Sequence, residues 1–299
     1  MRVDVIRFDG HTIRVVRDDI FPDIGGGNKA RKAVYYERAM REGGYNACVT
    51  TGGIQSNHNR AISLMCARNG WHCHNVYHGH KERFLAEKGN ALLVRKSGAS
   101  YEFVEPQQIG AAMDAAMDRL SSNGFKPMYI HGGGHDLPGG IAFVDAVREL
   151  KAICDAEGYK PGHIFHASGT GSTQAGIAVG LDVAGWKDVK LTGISVARQK
   201  ERGTFVIEEF SNLLAEFYGI HKDYRGCIDF NTDYLCGGYE QFVPDMSDLL
   251  DRVMKETGLI FDTTYSGKAF YGMLDHLNNN NVSGDVLFWH TGGLMNFMK

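Results

Sequence analysis

The chain has 299 residues, 43% hydrophobic, 22% charged and 11% aromatic, the balance of a globular protein and not of a disordered or fibrous one. Its formal charge of -3, with Lys and Arg dispersed, leaves no electrostatic footprint for nucleic acid or an anionic membrane, so a small-molecule ligand is favoured. The length suits one large domain or two; with no repeat, low-complexity tract or proline-rich linker, any second domain must be interleaved with the first.

The opening MRVDVIRFDG alternates charged and apolar residues and lacks the continuous apolar core of a secretory signal. No apolar run approaches a membrane span, and a cytoplasmic location is expected. From about residue 13, short β-rich runs alternate with helix-patterned segments. Strands are expected over 13–16, 47–51, 72–77, 101–104, 128–131, 163–166, 191–196 and 286–290; helices are expected over 28–41, 56–69, 110–120, 140–156 and 173–183. This alternation is the signature of an α/β fold with parallel strands and helical crossovers. Glycines gather after strand ends, at 25–27, 52–53, 132–134, 169, 171 and 292–293. Because glycine permits positive φ and close backbone approach, such turns point to a ligand at the carboxyl edge of a sheet. The six cysteines are scattered with no CxxC pair and read as free thiols.

In chain order, the first chemical constellation is GGGNKARK, residues 25–32, with Lys29 just inside a helix and Lys32 one turn on, on the same face. A lysine near a positive helix end and beside another cation has a depressed pKa, which an amine needs to attack an aldehyde; the plain alternative is two solvated lysines. TTGGIQSNHNR, residues 50–60, runs from strand through a glycine loop into a helix capped by Ser56 or Asn57. Its exposed N–H groups suit a carboxylate, unless it is only a capped helix. WHCHNVYHGH, residues 71–80, sets His72, His74 and, at the strand end, His78 on one face. His-x-His spacing can bind a transition metal, but no carboxylate pattern accompanies it, so these are read as polar strand-end histidines and no metal is expected. HASGTGSTQAG, residues 166–176, joins a strand to a helix through a loop suited to a phosphate monoester: backbone N–H groups and the helix dipole face the anion, and Thr170, Ser172 and Thr173 add hydroxyls. It has neither the GK[ST] ending of a nucleotide P-loop nor dinucleotide GxGxxG spacing, and a ligand-free βα turn remains the alternative.

GGGNKARK, GGIQSN, GTGSTQAG, YSGKA and HTGG, in this order and at these separations, resemble the D-cysteine desulfhydrase and 1-aminocyclopropane-1-carboxylate (ACC) deaminase family of fold-type II pyridoxal 5'-phosphate (PLP) enzymes, from about residue 13 to 293. The resemblance implies an α/β fold of two interleaved, open, twisted, mostly parallel sheets flanked by helices. A large cofactor-binding domain (1–31 plus 140–299), a small domain (32–139) and a homodimer are implied with it. Lys29 then matches the Schiff-base lysine that also moves the α-proton. Asn57 matches the contact to the cofactor's phenolic oxygen, and Ser56 with its neighbouring amides the substrate-carboxylate loop. His58 is either a further contact to a substrate anion or a helix-surface histidine. Gly169, Thr170, Gly171, Ser172 and Thr173 match the phosphate cup, and Tyr265 an active-site tyrosine able to protonate the leaving group or a ring carbon.

Two positions bear on which activity is implied. Ser266 stands where the deaminases carry a Glu against the pyridine nitrogen, and Thr291 where they carry Leu. A hydroxyl tolerates a neutral ring, sufficient when a β-substituent is promptly expelled, so both favour the desulfhydrase side. Thr263 and Thr264 depart from the family's Pro-Val type of sequence before the tyrosine, and HGGGHDLPGG, residues 131–140, brings two histidines where the family varies. The expected function is β-elimination on a small amino acid, giving pyruvate and ammonia. ACC-type deamination or β-replacement are the alternatives within enzymes. From a different class, a non-catalytic PLP or amino-acid binder would have no need of Lys29.

Overall fold

The computed structural model describes residues 1–280, 282 and 284–298. The chain opens with a hairpin, β1 (Val3–Phe8) and β2 (His11–Arg17), followed by α1 (Gly27–Gly43). Then come β3 (Ala47–Gly52), α2 (Asn57–Asn69), β4 (His72–Tyr77), α3 (Lys81–Ala86), α4 (Gly89–Lys96), β5 (Ser100–Phe103), α5 (Ile109–Ser122) and β6 (Pro127–Ile130). The remainder comprises α6 (Leu137–Glu157), β7 (Pro161–Ser168), α7 (Ser172–Val183), β8 (Lys190–Ser195), α8 (Lys200–Phe217), β9 (Asp229–Asn231), α9 (Pro244–Thr257), α10 (Ser266–Asn279), β10 (Asp285–His290) and α11 (Leu294–Phe297).

Two sheets result. One has six strands in the order β1-β2-β10-β7-β8-β9, the other four in the order β5-β4-β3-β6. Every pairing is parallel except β1 with β2. Strands buried on both faces carry near-continuous apolar runs, and their period of two divides the side chains between two cores. Phe165, Val286 and Phe288 point to the core containing Leu250 of α9 and Phe270 of α10. Ile164, Leu287 and Trp289 point to the opposite core with Phe143 and Val147 of α6 and Ile177 of α7. The smaller sheet is divided likewise. Cys48, Cys73 and Ile130 face Tyr36 and Met40 of α1 and Met65 of α2, while Val49 and Val76 face Met113 and Leu120 of α5.

All the expected strands and helices form, with ends shifted by up to three residues. The expectations omitted β1 and β9. β1 is a half-exposed edge strand whose alternation is carried by charges, and β9 has only three residues, so neither presents an apolar run. The six cysteines are free, although the buried Cys48 Sγ lies 3.4 Å from Cys66 Sγ and 3.8 Å from Cys73 Sγ. His72 and His74 bond Ser100 at 3.0 and 2.8 Å, and His74 reaches Glu102 of β5 at 3.1 Å, a carboxylate neighbour supplied across the sheet that spacing along the chain did not disclose. Among the described residues, no helix is long and apolar enough to cross a membrane.

Candidate active site

The carboxyl ends of strands from both sheets converge on one cavity of about 560 Å³, where Gly52 ends β3 and Gly53 follows it, His131 follows β6, Ser168 ends β7, Val196 follows β8 and Thr291 follows β10. Strand ends are where an open α/β sheet leaves a crevice, because consecutive crossovers diverge there.

Lys29 enters from the first turn of α1. Its Nζ donates to the Gly133 carbonyl at 2.9 Å, and Lys32 Nζ reaches the same oxygen at 3.3 Å while donating to Ser172 Oγ at 2.7 Å. Burial lowers Lys29 to about 8, with the contact to Lys32 opposing the fall. Lys32, fully buried, is lowered well below the ordinary value, first by burial and then by the charge on Lys29. The expected direction therefore holds for Lys29, but desolvation causes it and the neighbouring cation does not. The start of α1 is pinned by Asn28, whose backbone N–H donates to the Thr291 carbonyl at 2.9 Å and whose side chain donates to Thr173 Oγ1 at 3.1 Å.

The turn from β7 into α7 forms a second wall. Gly169, Thr170, Gly171 and Thr173 line the cavity, while the Ser172 hydroxyl turns away beneath it to meet Lys32. Gly171 has φ +97°, and a Cβ there would meet Ile207 at 2.7 Å. Gly133 has φ +73°, and a Cβ there would meet the Thr170 side chain at 2.6 Å. The Gly133 backbone thus approaches the loop from one side and the Ile207 side chain from another, and the first-turn N–H groups of α7, without intrahelical acceptors, are directed at the cavity. Ser168 Oγ, 1% exposed at this wall, has no hydrogen-bond partner. A glycine cradle, free N–H groups, an orphaned hydroxyl and an amine of lowered basicity together fit a phosphorylated aldehyde.

Ser56 caps α2, its Oγ accepting from Asn59 N at 3.2 Å, so the following first-turn N–H groups face the cavity. Asn57 is held by Asn296 at 2.7 Å, Arg60 at 2.8 Å and Asn90 at 3.0 Å. Arg60 also donates to the Gly26 carbonyl at 3.0 Å, tying the Asn57 turn to the Lys29 turn. His58 is not a helix-surface residue: at 2% exposure it faces inward and lines the cavity. Its Nε2 meets Thr50 Oγ1 at 2.8 Å, and because Thr50 Oγ1 donates to the Ile130 carbonyl, Nε2 carries the proton. Burial, with the charges of Lys29 and Lys32, pushes His58 well down and keeps it neutral, with Nδ1 unpartnered.

Tyr265, just before α10, points its hydroxyl at that of Tyr239, the rings 5.9 Å apart at 72°. Burial first, then Tyr239, pushes Tyr265 well above the ordinary phenol range, and burial pushes Tyr239 up to about 12. Ser266 lies behind the wall, its Oγ donating to Asp262 Oδ1 at 2.8 Å. Asp262 is buried and also accepts the backbone N–H groups of Thr264, Tyr265 and Ser266 at 2.9–3.0 Å. Tyr239 was not anticipated from sequence. It sits in an irregular loop beside Gly237 and Gly238, held by Lys268 Nζ, which donates to Leu235 O at 2.7 Å and to Gly238 O. Arg198, whose guanidinium donates to Thr170 O at 3.0 Å, and Arg202 also line the cavity without a sequence signal.

A family model described as pyridoxal-phosphate dependent enzyme matches residues 6–292. A D-cysteine desulfhydrase of Serratia proteamaculans is 30% identical over 294 residues, covering 95% of this chain and 87% of that protein. A putative 1-aminocyclopropane-1-carboxylate deaminase of Pyrococcus horikoshii is 29% identical, covering 97% and 87%. The crystal structure of an ACC deaminase homologue superposes with a TM-score of 0.87 at 28% identity, over 97% of this chain and 86% of that one.

Proposed function

Because this chain belongs to the family of pyridoxal-phosphate-dependent enzymes, we propose that it is a lyase that eliminates the β-substituent of a small amino acid, on the pattern of D-cysteine, yielding pyruvate and ammonia. The observation carrying this reading is the convergence on one cavity of the Lys29 amine, the Gly169–Thr173 turn and the α2 N-terminus.

Bound there, pyridoxal phosphate supplies an aldehyde for the amine and a ring that takes up the electron pair left at the α-carbon. Gly169, Thr170, Gly171 and Thr173 hold its phosphate through the N-terminus of α7, with Ser168 Oγ as an additional donor and Ser172 contributing backbone only. Asn57 and Thr291, which line the cavity, would hold its ring, with Ser266 behind that wall. Ser56 and the first-turn amides of α2 hold the substrate carboxylate. Lys29 Nζ would accept the α-proton; its lowered basicity keeps a share of the amine unprotonated near neutrality. Tyr265, kept protonated by burial and Tyr239, donates a hydrogen bond within the pocket. His58, neutral and inward-facing, shapes the substrate side of the wall. Residues 1–31 and 140–299 act as the cofactor lobe and 32–139 as its cover, in a homodimer. A cytoplasmic location is part of the same proposal, and there the buried thiols of Cys48, Cys66 and Cys73 would stay reduced.

The test is the absorption spectrum of the purified protein reconstituted with pyridoxal phosphate, beside Lys29→Ala, followed by D-cysteine. A visible band that requires Lys29, with pyruvate and sulfide released, is expected. A band without products from D-cysteine moves the substrate to another amino acid, ACC included; no band sinks the enzyme reading.

A further inference from the structure

Four histidines line the cavity: His58, His78, His131 and His135. His58 is held neutral by burial, and burial lowers His135 to about 3. His131 differs from both. Its side chain is 62% exposed, opening onto the cavity, and its Nδ1 pairs with Asp136 Oδ1. Asp136 is fixed in turn, since its Oδ2 accepts the His131 backbone N–H at 2.9 Å and the hydroxyl of the fully buried Tyr36 at 3.0 Å. One carboxylate oxygen thus anchors Asp136 while the other holds the ring. With Nδ1 engaged, Nε2 is the atom left to exchange a proton with the cavity, and it has no partner among the described residues. Two residues on, the Gly133 carbonyl accepts from Lys29 Nζ, so the ring and the amine are presented from one turn.

We propose that His131, oriented by Asp136, is the acid that protonates the departing β-substituent. This deepens the elimination reading and rests on it. Lys29 takes the α-proton; that C–H electron pair becomes the second bond between the α- and β-carbons. The bond to the β-substituent breaks with its pair going to the leaving atom, which takes a proton from Nε2 of His131 in its imidazolium form, while the Nδ1–H stays on Asp136; the neutral imidazole left behind recovers a proton from water. Tyr265, the other hydrogen donor at the site, releases its proton reluctantly because burial and Tyr239 hold it on. Imidazole as a class exchanges protons near neutrality.

The test is a leaving-group series with the reconstituted enzyme: D-serine, D-cysteine and β-chloro-D-alanine, whose chloride departs without a proton. General acid catalysis is worth roughly 10²–10⁴-fold, so His131→Gln is expected to lower kcat for D-serine by about that factor and for β-chloro-D-alanine far less. Asp136→Asn is expected to show the same ordering with smaller losses. In the cofactor-free protein, the ¹⁵N resonances of the His131 ring are expected to show the proton on Nδ1 in the wild type and to change in Asp136→Asn. Equal losses for all three substrates, no loss for D-serine, or a proton-free Nδ1 would overturn the role of His131 while leaving elimination standing. Failure of the wild type to release chloride from β-chloro-D-alanine would overturn the elimination reading, and this role with it.

Discussion

Lys29 offers a quantitative test that precedes any turnover. An amine titrating near 10.5 is about 0.03% neutral at pH 7, and one at about 8 is about 9% neutral, so burial enriches the nucleophilic form about 300-fold. Pyridoxal without its phosphate, trapped by borohydride on the cofactor-free protein and located by mass spectrometry, reports this directly. Labelling of Lys29 is expected to rise with a midpoint near pH 8 and to outrun that of surface lysines at neutrality. The same burial has a stability consequence. Below about pH 8 the amine is charged in folded and unfolded protein alike, and folding bears the cost of burying that charge. Between about 8 and 10.5 the unfolded chain still binds the proton and the folded one does not, so stability rises with pH through that window. The cost corresponds to at most about 3 kcal/mol, reduced by whatever screening the open cavity provides. Lys29→Met is therefore expected to unfold at higher denaturant than the wild type at pH 7, with the advantage shrinking as pH rises from about 8 to 10.5. A labelling midpoint at or above 10, or a variant no more stable at pH 7, would refute desolvation as the cause.

Three further outcomes follow from the surrounding packing. Asp18, 1% exposed, accepts from Arg31 at 2.7 Å and from Trp289 Nε1 at 2.9 Å; Asp18→Ala leaves the buried guanidinium with Glu149 as its remaining carboxylate, at 3.0 Å, and the Trp289 N–H without its acceptor, and is expected to cost about 3 kcal/mol in urea unfolding. Gly133→Ala adds a Cβ 2.6 Å from Thr170 at a φ of +73°, so a large loss of pyridoxal-phosphate affinity by fluorescence titration is expected; unchanged affinity would show that this turn does not shape the cup. Lys268→Met removes the ammonium that holds Leu235 O and Gly238 O, and faster amide exchange over 235–241 is expected, with the Tyr239–Tyr265 contact weakened.

Several features were legible along the chain because they repeat over a few residues. The apolar runs at 163–166 and 286–290 announced β7 and β10, and the small-residue turn at 169–173 announced the start of α7. Ser56 was readable as a cap because a hydroxyl before a helix accepts from its first turn. Other features had no such signal. The Ser172 hydroxyl is close in sequence to the cup but turns to Lys32, 140 residues away. Ser266 reads as a ring contact, yet its hydroxyl donates to Asp262 Oδ1 and accepts from the Asp262 backbone N–H, so it is committed to its own turn. His58 reads as a surface residue until β3 is placed beneath it, when Thr50 Oγ1 accepts a hydrogen bond from its Nε2–H.

By itself the sequence determined the order and type of the elements and the glycine turns at strand ends, because each is encoded by local periodicity or by backbone freedom at one position; Lys29 was singled out by the resemblance its motif carries. Tertiary structure alone decided that Gly133 receives Lys29, that Tyr239 meets Tyr265 and that Arg60 ties Gly26 to Asn57. Those partners are 104, 26 and 34 residues apart, and their meeting depends on two sheets presenting their carboxyl edges to one cavity, where close packing and desolvation set both the geometry and the proton affinity of each group.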